Sequence, residues 1–169
     1  MLKSLSSRTA APEAAKVADA ADLRYLAARQ FSAQWRAVML AMADELFENF
    51  SAQEAWGFYR QIGLRVSRSV ALPPVKTLEE LEASLNVVLA EMDWGYVSLS
   101  LADSAIAIRH RAYPGQYLED ASGHWRRAFC ALLEGVYTVW LQSQGGRPEM
   151  TATHREGASD DVLEFSYGL

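Results

Sequence analysis

Three histidines, one cysteine and a cluster of glutamates are the places where this chain could hold chemistry. His110, His124 and His154 are spread over a strand, a helix start and a second strand. They lack the i, i+4 pairing and carboxylate spacing of a zinc motif, so they read as ordinary surface or partly buried residues. Cys130 falls between Phe129 and Leu132 on an apolar helical face, where a thiol is a small core residue that no neighbour activates. Glu79, Glu80 and Glu82 suggest the carboxylate pair of a glycosidase. They occupy the first turn of a helix, however, where the dipole favours negative charge and solvent faces them. No G-x-S-x-G, G-x-x-x-x-G-K-[ST] or G-x-G-x-x-G occurs. The expectation is a non-enzyme, with no catalytic, cofactor-binding or metal-ligating residues and no cofactor.

Flat side chains offer a different chemistry, because five tryptophans and seven tyrosines can stack on sugar rings as well as fill a core. Trp35, Trp56, Trp125 and Trp140 lie on helical apolar stripes and read as core or subunit interface. Trp94, between Asp93 and Gly95 at a helix end, is open to either role. Arg60, Arg65, Arg68, Arg126 and Arg127 read as solvated helix faces and salt-bridge partners. A net charge of -5 leaves no surplus of cations for phosphates, which argues against nucleic acid as a partner. The longest apolar tract, Ala128 to Val139, contains Glu134 and Gly135 and is shorter than the roughly 20 residues of a bilayer crossing, so no membrane insertion is expected. Arg8, Glu13, Lys16 and Asp19 interrupt the amino-terminal region before an export signal forms. With a single cysteine, this points to a cytoplasmic location.

The elements that must position these residues are legible from spacing. With 50% of 169 residues hydrophobic, a packed core is within reach. A single domain is expected over residues 23–169, after a mobile Ala-rich arm from Met1 to Asp22 that Pro12 interrupts. Trp35, Met39, Met42, Leu46 and Phe50 form one helical stripe; Trp56, Tyr59, Gly63, Val66 and Val70 form a second, stopped by Pro73 and Pro74. Ser51 with Glu54, and Thr77 with Glu80, have capping-box spacing at two helix starts. Leu78, Leu81, Leu85, Val88, Leu89 and Met92 mark the third helix, with Gly95 as its stop. The period then falls to two, in Val97, Leu99 and Leu101 and in Ile106 and Ile108, which reads as a hairpin. Trp125, Phe129, Leu132, Leu133, Val136, Tyr137 and Trp140 make a long central helix ended at Gly145-Gly146, and the segments 150–155 and 162–167 make a second hairpin. The fold class is α+β: amino-terminal amphipathic helices, two antiparallel hairpins forming a small sheet, and the long helix between them.

The run from Leu81 to Leu101, with Leu85-Asn86 and Trp94-Gly95, followed by Ile106 to His110, Gly123-His124-Trp125 and Leu133-Glu134-Gly135 with Tyr137, Trp140 and Ser143-Gln144, resembles the bacterial cellulose synthase operon protein D family. The resemblance covers about residues 34–146. It implies a non-catalytic accessory subunit that assembles as an octamer, a tetramer of dimers, at the cytoplasmic side of the synthase. There it would order nascent glucan chains or scaffold the synthases, with the other synthase subunits and a proline-rich protein as partners. The divergent segment from Met1 to Asp22 carries no matching motif, so the resemblance assigns no glucan-contacting residue.

The first two helices also carry more apolar surface than one small core needs, with aromatics and methionines of the kind interfaces favour. A homo-oligomer is expected, with Trp35, Met39, Met42, Trp56, Tyr59 and Ile62 at the subunit interface. Two other readings compete: a small-ligand sensor domain of the vinyl-reductase or vesicle-tethering type, with Cys130 and Trp125 lining an apolar pocket, and a glucan-acting enzyme using Glu79 and Glu82.

Overall fold

Ser51 and Thr77 start two helices in the same way. The Ser51 side chain accepts the Glu54 backbone N–H at 3.2 Å while the Glu54 carboxylate accepts the Ser51 N–H at 3.0 Å. Thr77 and Glu80 repeat the exchange at 3.1 and 3.3 Å, so Glu80 serves the backbone. The computed structural model describes residues 29, 31–102, 104–117, 120–156 and 161–169. Within these the order is α1 (Ala33–Asn49), α2 (Ala52–Ser69), α3 (Leu78–Glu91), β1 (Tyr96–Ala102), β2 (Ala105–Arg111), α4 (His124–Ser143), β3 (Thr151–Arg155) and β4 (Leu163–Gly168). This is the expected α+β class. The arm expected from Met1 to Asp22 lies outside the described residues, as does part of each hairpin turn.

Gly95 does not stop α3. The helix ends at Glu91, and Asp93 takes the left-handed conformation (φ 55°) while the Trp94 N–H returns to Leu89 O at 2.9 Å. Gly95 (φ 92°) is needed for a different reason: a Cβ there would stand 2.1 Å from Arg111 O at the end of β2.

The two hairpins join through β2 and β4 into one antiparallel sheet of order β1-β2-β4-β3. Register aligns Val97 with His110 and Leu163, Leu99 with Ile108 and Phe165, and Tyr167 with Ala152 on one face, which α4 covers. The other face carries Ser98, Arg109 and Glu164, the last two ion-paired at 3.4 Å. Leu101 keeps the alternation, in register with Ile106, but lies near the end of β1 and is exposed.

Helix side chains serve the outward backbone groups of both edge strands. On β1, Asn86 donates to Val97 O at 3.0 Å and accepts the Val97 N–H at 2.7 Å, and Glu82 accepts the Leu99 N–H at 2.7 Å. Glu82, expected to face solvent, therefore reaches an edge strand whose N–H lacks a sheet partner. On β3, Thr138 accepts the Ala152 N–H at 3.0 Å and Glu134 accepts the His154 N–H at 2.7 Å. Four helical residues rise about 6 Å and two strand residues about 6.7 Å, so an i, i+4 helix pair matches alternate strand residues.

Packing between helices is closest where α2 crosses α4. A Cβ on Gly63 would lie 1.9 Å from Leu132 O, and one on Gly135 2.2 Å from Arg60 O and 2.8 Å from Leu64 N. These are backbone atoms that no rotamer change can remove. Gly135→Ala is expected to cost about 3 kcal/mol or more, read as a lowered urea midpoint, because one whole helix must shift.

The expectation of surface or partly buried histidines fails for His110, which is 0% exposed. Its Nε2–H donates to Trp94 O at 2.6 Å, which leaves Nδ1 to accept the Tyr137 hydroxyl, so two polar side chains satisfy each other inside the core. Burial lowers its pKa from 6.5 to about 4, against the smaller opposing effect of the Trp94 carbonyl. Between those values the unfolded chain binds a proton that the fold refuses, so stability rises with pH across about pH 4 to 6.5 and levels off above. Urea unfolding at pH 4 and pH 7 is expected to show a loss on the order of 3 kcal/mol from this group at the acid end, and His110→Gln should remove that part of the pH slope.

Candidate functional site

The apolar stripe of α1 is only partly covered by the core. Trp35 (53% exposed), Met42 (41%) and Phe50 face solvent, Met39 and Leu46 are half-buried, and Ala43 is the buried residue of the helix. Met39 and Leu46 rest on the core, and Phe47 adds a second anchor. Phe47 stacks on Tyr59 at 6.3 Å and on His124 at 5.3 Å, and the Arg127 guanidinium sits 4.3 Å from the Phe47 ring centre. Val38, three residues from Trp35 and four from Met42, completes an exposed row, and Phe58 of α2 stands exposed beside it. Between them runs an apolar groove of about 710 Å³ that Ala37 and Ala41 keep shallow and Glu45 borders.

Six residues carry the interface expectation, and the structure divides them. Trp35, Met39 and Met42 lie along this face. Trp56 is half-buried and donates its indole N–H to Glu134 at 2.7 Å; Ile62 packs against the core; Tyr59 is 4% exposed. The helical period put Trp56 and Tyr59 on one stripe with Gly63, and that stripe is the side of α2 facing α4. Val38 and Phe58 are the face residues absent from that set of six. Val38 was available from its spacing to Trp35 and Met42; Phe58 lies off the α2 stripe, is one of the aromatics the first two helices have to spare, and is 44% exposed.

Behind the groove, α1, α2 and α4 enclose a second cavity of about 430 Å³, lined by Trp35, Met39, Tyr59, Trp94 and Trp125 among others. Trp94 packs edge-on to Phe129 at 5.4 Å. Cys130, expected beside Trp125 in such a pocket, is not in the wall: it is buried elsewhere in the core, and burial pushes its thiol up to about 12. A thiol held protonated is no nucleophile.

Tertiary structure gathers polar groups at two points. The Ser122 hydroxyl donates to Asp44 Oδ1 at 2.7 Å and His124 Nδ1 meets the same oxygen at 3.0 Å; these contacts, Ser122 first, hold the Asp44 carboxyl below its usual range. The serine thus bonds the carboxylate, not the imidazole, and this is not the order in which a triad activates a hydroxyl. Glu48 brings a third donor to within 4.8 Å of Asp44 and His124, a proximity that residue spacing did not reveal. At the second point, Glu134 is buried and accepts from Trp56 and from the His154 N–H, with Arg60 Nε at 4.0 Å. Glu79 and Glu82 do not pair across a cleft, since Glu82 is bonded to β1.

The fold and surface define an α+β protein whose prominent exposed feature is an apolar helical face. The family of cellulose synthase D subunits matches residues 21–168, and the chain belongs to that family. A cellulose synthase operon protein D of Komagataeibacter xylinus is 33% identical over 90 residues, 52% of this chain and 56% of that protein. One of Komagataeibacter sucrofermentans is 35% identical over 91 residues, with the same shares of each. The chain spans about half the length of the curated relatives it matches. Among the described residues, no helix is long and apolar enough to cross a membrane.

Glu134→Gln tests the buried carboxylate. One amide oxygen can meet the Trp56 or the His154 N–H but not both, so a loss of about 1–3 kcal/mol is expected in denaturant unfolding.

Proposed function

We propose that this chain is a non-catalytic accessory subunit of bacterial cellulose synthesis that self-associates through the outward face of α1. The exposed row of Trp35, Val38 and Met42 carries the reading, because apolar surface of this kind on neighbouring residues gains free energy only when another surface covers it. Met39 joins the same face, while Trp56, Tyr59 and Ile62 hold α2 in place behind it. The partly occupied sheet edges favour a helical interface, since strand addition needs free backbone groups, and helix side chains already take the N–H of Val97, Leu99, Ala152 and His154 and the C=O of Val97.

In this reading the assembly is the ring of the family, an octamer built as a tetramer of dimers. It lies at the cytoplasmic face of the inner membrane with the other synthase subunits and a proline-rich companion, and organises synthases or emerging glucan chains for crystalline cellulose. The protein adds no bond chemistry of its own, which accords with the Asp44, Ser122 and His124 arrangement and the protonated Cys130.

Light scattering at micromolar concentration is expected to give an oligomer for the natural chain and a smaller particle for Trp35→Glu with Met42→Glu, with far-UV circular dichroism unchanged. A monomeric natural chain, or a double variant keeping the parent mass, would refute the proposed face.

A further inference from the structure

The 430 Å³ cavity between α1, α2 and α4 is apolar on nearly every side, yet its wall includes Tyr59, whose hydroxyl is buried and meets no hydrogen-bond partner among the described residues. An orphaned donor in an apolar chamber is costly unless something fills the chamber and accepts from it. The rest of the wall narrows what that something is. Trp35, Met39, Met42 and Trp94 offer ring faces and thioethers, and the Trp125 N–H is already given to Pro114 O at 2.8 Å. A sugar, with hydroxyls all round, would leave most of them unpaired here. A chamber of about 150 Å³ already admits a benzene-sized molecule, and this one is larger. Exposed Trp35 and Met42 stand at its rim, so a ligand has a way in.

Charge narrows the choice further. Burial, with the Asp44 carboxylate adding to it, raises the Tyr59 hydroxyl to about 12, so it stays protonated and donates, and the same carboxylate repels an anion placed against it. We propose that this cavity is a binding site for an uncharged, mainly hydrocarbon molecule with one oxygen acceptor, of the long-chain alcohol or ketone class, held by Tyr59. The site borders the face proposed for self-association, with Trp35, Met39 and Met42 common to both, so its test follows particle mass as well as binding.

Purified full-length protein is titrated with 1-decanol and with decanoate, followed by calorimetry and tryptophan fluorescence. Decanol is expected to saturate at one molecule per chain and to bind at least about tenfold more tightly than decanoate. Tyr59→Phe should weaken decanol about tenfold without lowering the melting temperature of the empty protein, because it removes an unsatisfied group. Ile62→Phe, which narrows the cavity, should weaken decanol further, with folding verified by the same melt. Four results would each overturn the proposal: no saturation up to the solubility limit of decanol; equal affinity for decanoate; unchanged affinity in Tyr59→Phe; or a fall in particle mass on adding decanol, which would place a second copy of the chain in the cavity.

Discussion

The approach of α2 to α4 at Gly63 and Gly135 is the contact on which the other packing depends. With neither residue carrying a side chain, the two backbones come close enough that a single Cβ would overlap a carbonyl oxygen of the opposite helix. That distance places Glu134, the neighbour of Gly135, where its two oxygens reach Trp56 on α2 and the His154 N–H on β3. One carboxylate thereby fixes helix to helix and helix to sheet. It is buried beside hydrogen-bond donors, the condition under which a carboxylate tolerates leaving water. On the far side of α4, Tyr137 closes on His110, so a polar pair deep in the sheet also takes its position from the same helix.

Helices also finish the sheet. Its two edge strands would otherwise present rows of unpaired N–H and C=O groups to any extended chain. Glu82 and Asn86 take two N–H groups and one C=O of one row, Glu134 and Thr138 two N–H groups of the other. The near match of one helical turn to two strand residues makes this possible without special backbone geometry. The consequence reaches the surface: with part of each edge occupied, one apolar area left for partners is the row of Trp35, Val38 and Met42 that α1 turns outward. Local packing and the assembly proposal therefore share a cause.

Much of the architecture was legible because it rests on local rules. The two capping boxes, the period-two hairpins and the long helix from Trp125 to Trp140 all follow from neighbours in the chain. Gly95 shows the limit of such rules. Its residue type was informative, but the helix had already ended, and the reason for glycine lay on β2, sixteen residues away. Glu82 is similar: a first-turn carboxylate looks solvated until a strand edge is placed against it.

The candidate site was legible in part. Spacing singled out α1 as a helix with apolar residues to spare, but periodicity marks a stripe without saying which way it faces. The amino-acid sequence by itself determined the elements, the capped starts of α2 and α3 and the resemblance to a protein of the cellulose synthase operon, since capping, turn chemistry and side-chain period act within a few residues. Only the tertiary structure decided that Tyr59 turns inward and Trp35 outward, that His110 lies in the core, and that Asp44, Glu48 and His124 meet. Exposure and side-chain partnership are properties of the space between elements, and that space exists only once α2 has docked on α4 and the sheet has closed beneath them.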